Sequence, residues 1–307
     1  MLSQVLTSVR IQNYRVLADV TIPLEPFTVL VGPNGSGKTS VVTVIDEAMQ
    51  QIRGTGEGPA ATVDLAFGDV RATIQNKRLS YNVSLQEAGA FSKLASCRLL
   101  ALNAGAIRAS AQVFASPEMS ETGEQFAVFL ATLIQRDRRA LDRIEADLRL
   151  VVSNVEEVAS ERKDLNNAFT IKFTKVGWVP AEAVSEGTAI ALALLSLLHA
   201  PEPPNLLLIE DLDRGLHPRA QREVIGILRR IVELRPGLQI IATTHSPYIV
   251  DEFPPEAVVV LTLDDEGHTM ARRLSEHPKF DKWKEAMNTG ELWAWVGEDW
   301  IREQHGE

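Results

Sequence analysis

Phe27-Thr28-Val29-Leu30-Val31-Gly32-Pro33-Asn34-Gly35-Ser36-Gly37-Lys38-Thr39-Ser40 is the stretch on which the fold turns. An apolar run of strand length, Phe27 to Val31, enters a Gly-x-x-x-x-Gly-Lys-Thr loop, and an aliphatic helical stretch, Val41 to Ile45, leaves it. Such a loop needs glycines so that successive backbone N–H groups can point inward at phosphate oxygens. The pattern makes Gly32 through Ser40 a candidate cradle for a nucleotide. Within it, Lys38 is placed to neutralise the β- and γ-phosphates, and the Thr39 hydroxyl to ligate Mg²⁺. The order strand, loop, helix is more specific than the loop pattern alone.

A second element answers the first. Leu206-Leu207-Leu208-Ile209 is a short uninterrupted apolar run, of the kind buried in a parallel sheet, and it ends in Glu210-Asp211. Two acids at such a strand end put one carboxylate, Glu210, beside a metal and the next, Asp211, where it can orient a water. The usual order is Asp then Glu. With the order reversed, the shorter side chain holds the water, and slow hydrolysis is expected.

Composition sets the outer limits. With 307 residues, 45% of them hydrophobic, the chain can bury one large core or two modest ones. The single cysteine, Cys97, excludes a disulfide framework and a Cys-based zinc site and fits a reducing compartment. The start has no apolar signal region, and the longest apolar stretch, Ala189 to Ala200, is interrupted by Ser196 and His199. A cytoplasmic protein with no membrane partner is expected. The net charge of −10 repels nucleic acid, so DNA is possible only through a local basic patch or a partner subunit. The densest basic run, Arg136, Arg138, Arg139 and Arg143, is interleaved with Asp137, Asp142, Glu145 and Asp147 and reads as a salt-bridged helix face.

Along the chain, residues 5–31 read as strands with a turn near Leu17-Ala18-Asp19. After an exposed loop at Gly54 to Pro59, the runs ATVDLAF, DVRATIQ and RLSYNVSLQE alternate like an antiparallel meander. Apolar residues from Glu124 to about Val158 recur at helical spacing, as one long helix or two with a break near Arg136 to Arg139. A strand in AFTIKFTKV and a bend at Gly177 to Pro180 lead to a helix starting near Ser185. Strand 206–209, helix 217–234, and strands at Gln239 to Thr244 and Val258 to Leu263 complete an α/β order.

Four ordered segments then resemble one family: the opening from Ile11 to Ser40, Val184 to Thr188, LLLIEDLDRGLHP, and IIATTHSPYIVD. Together they resemble the AAA-type ABC ATPases related to RecF, SMC proteins and the OLD (overcoming lysogenization defect) nucleases. The resemblance implies an α/β P-loop ABC-type ATPase head with a parallel or mixed core sheet, an N-terminal antiparallel β layer and a central helical subdomain. It implies one head over 1–307, with lobes at 1–95, 96–180 and 181–307. By the same resemblance, Ser185, Glu186, Gly187 and Thr188 are the signature that meets the γ-phosphate bound to an opposite protomer. Asp213, Gly215 and His217 are the D-loop at the dimer seam, and His245 is the switch histidine. Lys38, Asp211 and His245 form the catalytic set, while Asn13 and Arg15 lie near the nucleotide. Three residues, Gln75, Gln86 and Gln112, are candidates for the Q-loop glutamine.

Departures narrow the expectation. SEGT replaces the transporters' SGGQ, no paired heptad arms flank the midpoint, and the chain ends at Glu307 without room for the OLD nuclease domain. The resemblance implies ATP and Mg²⁺ as ligands and a homodimer closed through nucleotide. A separate effector, nuclease or toxin, would act in defence against phage or plasmids. The alternative is a RecF-like, ATP-dependent repair clamp on DNA ends or gaps; a third reading is a non-hydrolysing scaffold. Trp283, Trp293, Trp295 and Trp300 fall in the last 25 residues, and read as a docked terminal helix or as a partner contact in GELWAWVGEDW.

Overall fold

Strands that lack polar alternation should be covered on both faces, and the core sheet meets that expectation. In the computed structural model, which describes residues 5–82, 96–283 and 285–303, β3 (Phe27–Val31), β12 (Leu206–Ile209) and β13 (Gln239–Thr243) are buried at every position. The next strand, β14 (Val258–Leu263), is buried at all but its last. These four run parallel in the order β14-β3-β13-β12. An antiparallel edge, β15 (Thr269–Arg273), joins β14, and β7 (Cys97–Leu100) borders β12. The core sheet is therefore mixed.

A second sheet is wholly antiparallel, in the order β2 (Leu17–Pro23), β1 (Ser8–Tyr14), β4 (Thr62–Phe67), β5 (Val70–Gln75), β6 (Arg78–Tyr81). Its strands alternate: β4 buries Val63, Leu65 and Phe67, and β5 buries Val70, Ala72 and Ile74. Helix α1 (Lys38–Arg53) joins the two sheets. Its Val41, Ile45, Met49 and Ile52 share one cluster with Val9, Ile11 and Leu65 of the antiparallel sheet and Leu30, Leu208 and Ile241 of the core sheet. Each such side chain stabilises the fold by about 1.5–3 kcal/mol, so the helix leaving the glycine loop is fixed from two directions.

The chain forms two compact units, Met1–Leu99 with Pro204–Leu212 and Arg229–Glu307, and Leu100–Pro203 with Asp213–Leu228. Motif order suggests consecutive lobes, yet the units interleave. In the second unit, α2 (Ala104–Arg108), α3 (Phe126–Arg136), α4 (Arg138–Val151) and α5 (Glu186–Leu198) accompany β8 (Ala111–Gln112), β9 (Val155–Lys163), β10 (Asn166–Phe173) and β11 (Gly177–Pro180). The remaining helices are α6 (Pro218–Leu234), which runs from the second unit into the first, α7 (Pro247–Val250), α8 (Phe280–Trp283), α9 (Thr289–Val296) and α10 (Asp299–Glu303). Among the described residues no helix is long and apolar enough to cross a membrane.

Two local expectations need correction. The first hairpin turns at Arg15-Val16, with Tyr14 opposite Leu17. Asp19 is a strand residue, its carboxylate held by Arg10 at 2.9 and 2.7 Å and by Gln12 at 2.9 Å, not a turn former. The helical run breaks at Asp137, whose Oδ1 caps α4 by accepting the Ala140 N–H at 3.1 Å. That run ends at Val151, and Val155 and Val158 belong to β9. A register shift pairs Phe173 with Val155 and Lys172 with Glu157, so the two valines share a face three residues apart and imitate helical spacing. Of RLSYNVSLQE, the strand covers Arg78–Tyr81, and residues 83–87 lie outside the described residues.

One buried side chain fastens the N-terminal strand region to the core sheet. Gln239 accepts the Leu6 N–H at 2.9 Å and donates to Leu6 O at 2.8 Å and Glu25 O at 2.9 Å. It is 2% exposed. Replacing it with leucine strands three backbone groups. Gln239→Leu is expected to lower unfolding stability by about 2–4 kcal/mol, read from urea denaturation, and a loss below about 0.5 kcal/mol would overturn this account.

Candidate phosphate-binding site

Parallel strands in register end together. Leu30 pairs with Thr243, Ile209 with Ala242 and Val31 with Val260, so Gly32, Glu210 and Thr244 leave the core sheet at one edge. Asp211 and His245 follow one residue later. The carboxyl edge of such a sheet is where α/β proteins place ligands.

The loop is built by close backbone approach. A Cβ on Gly32, at φ 140, would overlap the Leu261 carbonyl oxygen of β14, and one on Gly37, at φ 100, would lie 2.6 Å from Thr269 Oγ1 of β15. Thr269 also donates its hydroxyl to Ser36 O at 3.0 Å and its N–H to Val16 O at 2.8 Å. The edge hairpin thus forms the back wall of the loop. Gly37 precedes α1 without a side-chain cap, and no acid lies in the first helical turn, so that end keeps its positive character. The Lys38 ammonium donates to Gly32 O at 2.8 Å and Pro33 O at 2.9 Å. Burial pushes the Lys38 pKa down, against the opposing pull of Asp211 and Glu298. Ser36 Oγ is buried with no hydrogen-bond partner among the described residues. Pro33, Asn34, Gly35 and Thr39 are exposed, and Ser40 is buried.

Thr243 shapes the acid pair. Its Oγ1 accepts the Asp211 N–H at 2.9 Å and its carbonyl the Leu212 N–H at 2.9 Å. Asp211 has φ 48, a left-handed conformation that Asp tolerates. Both Glu210 and Asp211 are partly buried, and His245 is exposed. Thr244 is buried, and its Oγ1 accepts the Ser246 N–H at 3.0 Å. At the first hairpin, Asn13 and Arg15 have φ of 62 and 53, and the Arg15 guanidinium lies 5.1 Å from the Tyr14 ring centre. Burial and the hydrogen bond to Glu47 raise the Tyr14 pKa to about 12.

The remaining predicted residues belong to the second unit. Ser185 caps α5, its Oγ lying 3.3 Å from the Thr188 N–H and 2.7 Å from Thr188 Oγ1. Gly187 and Gly215 are matched: a Cβ on the first would lie 2.5 Å from Gly215 O, and one on the second 2.6 Å from Glu186 Cγ. Gln221 steadies that loop by donating to Leu216 O at 2.9 Å and Asp213 O at 3.5 Å. His217 is exposed, and its Nδ1 accepts the Arg219 N–H at 3.4 Å. Gln75 ends β5 and Gln112 ends β8, in different units, and Gln86 lies outside the described residues.

Sequence reading missed Thr243 and Thr269. The turn residues Asp264 to Gly267 followed by alternating TMARR are the signal that marks the β14–β15 hairpin and hence Thr269.

Comparison with known proteins follows the same plan. The family described as "AAA ATPase domain" matches residues 5–79, and that described as "AAA domain, putative AbiEii toxin, Type IV TA system" matches residues 126–251. Septu protein PtuA of Bacillus thuringiensis is 38% identical over 69 residues, 22% of this chain and 17% of that protein. The OLD nuclease of Thermus scotoductus is 46% identical over 41 residues, 13% of this chain and 8% of that protein. Among solved structures, an SMC head bound to the C-winged helix domain of ScpA aligns over 90% of this chain and 99% of its own, with TM-score 0.64 and 16% identity. The SMC head of Thermotoga maritima aligns over 87% of this chain and 98% of its own, with TM-score 0.53 and 14% identity. The chain thus shares the fold of SMC heads along most of its length and matches two ATPase-domain families over separate stretches, and it spans less than a fifth of the curated relatives it resembles.

Proposed function

We propose that the chain is an ATP-binding, slowly ATP-hydrolysing switch whose two copies close on nucleotide and reopen after hydrolysis. The observation that carries this reading is the convergence, at one sheet edge, of the Lys38 loop, the Glu210–Asp211 pair and the Thr244–His245 strand end. The loop fits a phosphate chain. Ser36 Oγ is a buried polar atom without a partner among the described residues, and the two carbonyls that occupy Lys38 can be exchanged for phosphate oxygens. Thr39 and Glu210 would hold Mg²⁺, a sparse set that suits an ion whose shell is completed by phosphates and water. Bound there, it would neutralise charge on the phosphates. Asp211 would orient the attacking water, with a shorter reach than glutamate, and His245 would contact the γ-phosphate.

Ser185 to Thr188 would meet the nucleotide of a second copy. Because Ser185 Oγ can accept from Thr188, its own proton is available to an outside oxygen. Asp213, Gly215 and His217 would lie beside it at the seam. Arg15 would lie near the nucleotide. The Septu name of one relative and the toxin–antitoxin description of one matched family support work beside a separate effector, a nuclease or toxin, in defence against phage or plasmids. The DNA-clamp alternative is opposed by the net charge of −10.

Two experiments test the reading. Lys38→Ala is expected to weaken Mg·ATP binding roughly thirtyfold in a fluorescent-nucleotide titration and to abolish multiple-turnover phosphate release. Retention of wild-type affinity and turnover would count against the assignment. With Mg·ATP, Asp211→Asn is expected to sediment as a dimer, while the further change Gly187→Ala leaves nucleotide affinity within about twofold and prevents dimerisation, since its Cβ separates the signature from Gly215. A monomer in both cases would exclude the two-headed switch.

A further inference from the structure

The signature follows a carbonyl that its own helix does not use. Val184 O lies one residue ahead of the Ser185 cap, outside the hydrogen-bond ladder of α5, and Val184 is 2% exposed. A carbonyl in such a place needs a donor from elsewhere. Arg108 Nη1 supplies it at 2.9 Å, while Arg108 Nε donates to Ala104 O at 3.0 Å. Arg108, Val184 and Ser185 belong to one unit, and the phosphate loop to the other.

The arginine is itself held in place. At 5 residues α2 is too short to stand alone, and its neighbours support it. Asn103 Oδ1 accepts the Ala106 N–H at 3.0 Å, and the Asn103 N–H donates to Thr122 O at 2.9 Å. Gly123 follows at φ 94, where a Cβ would overlap Cγ1 of the buried Ile107. At the far end of α5, His199 Nε2 lies 2.7 Å from Asp147 Oδ2 of α4, and both side chains are buried. With that end fixed, the direction in which α5 begins is set at Val184.

We propose that Arg108 is a positioning residue for the signature, aiming Ser185 at nucleotide held by a second copy. This deepens the two-headed reading and rests on it. The Val184 carbonyl shares a rigid peptide plane with the Ser185 nitrogen, so holding that oxygen fixes the plane from which the Ser185 side chain projects. Without the guanidinium the plane can turn. Ser185 Oγ then keeps its bond to Thr188 but loses its aim at an outside oxygen. Arginine suits the task because its planar fork meets the Ala104 and Val184 carbonyls together, which an ammonium on a flexible stem does less well. The loss falls on the contact between copies and leaves the phosphate loop of each copy intact.

Arg108→Met keeps the apolar stem and removes both hydrogen bonds. In the full chain carrying Asp211→Asn, with Mg·ATP, it is expected to raise the dimer dissociation constant roughly tenfold by sedimentation and to leave nucleotide affinity within about twofold. Because Arg108 acts through Ser185, its effect is expected to shrink to about twofold or less once Ser185→Ala is present. Arg108→Lys, a milder change that keeps the charge, is expected to cost about threefold and to show the same coupling to Ser185. Undiminished dimerisation in both Arg108 variants, or losses as large with Ser185→Ala as without it, would overturn the positioning role while leaving the two-headed reading standing. An Asp211→Asn chain that stays monomeric with Arg108 intact would overturn both.

Discussion

The Leu261 carbonyl lies where a side chain at position 32 would begin, and that contact sets the geometry of everything around the loop. The chain can leave β3 only as glycine, with a φ closed to other residues, and it turns at once against the β14–β15 hairpin. Thr269 then holds the loop from behind while α1, wedged between two sheets, holds it from the far end. A loop so confined can present its N–H groups without ordering them on each binding event. Pre-formed donors of this kind make a glycine-rich segment an anion site.

Parallel register carries the arrangement outward. Because β12 and β13 stop level with β3, residues far apart in sequence, Lys38, Glu210 and His245, arrive at one edge. The signature and the Gly215 loop belong to a separate unit and are fitted to one another through Gly187 and Gly215. Each unit thus presents a finished half of the proposed chemistry. Under the proposed function, hydrolysis divided in this way would be controlled by whether two copies meet.

Much of this was legible in the sequence, for physical reasons. Buried parallel strands are uninterrupted apolar runs, and phosphate loops need glycine at fixed positions, so β3, β12, β13 and Gly32 to Thr39 announce themselves. Other parts were hidden by ambiguous spacing. The shifted register in β9 places Val155 and Val158 three apart, as a helix would, and Asp19 resembles a turn residue while serving as a cross-strand partner. Thr269 could not be recognised as a site residue at all, since its importance comes from where the edge hairpin folds back. The tryptophan-rich tail divides its roles: Trp300 is packed inside, Trp293 positions a carboxylate, and Trp295 stays 69% exposed.

The reversed acid order acquires a backbone explanation. The residue after Glu210 must take φ 48, because its N–H is drawn to Thr243 Oγ1 and the following N–H to the Thr243 carbonyl. Left-handed backbone favours asparagine and aspartate over glutamate, whose longer side chain has no local hydrogen bond to offset the crowding of its Cβ. An Asp-Glu pair here would put glutamate into that conformation and aspartate at the last extended position of the strand. Glu-Asp places each acid where the backbone tolerates it, so the turn that Thr243 enforces selects the shorter carboxylate. Slow turnover would then follow from the way this strand end is tied to its neighbour.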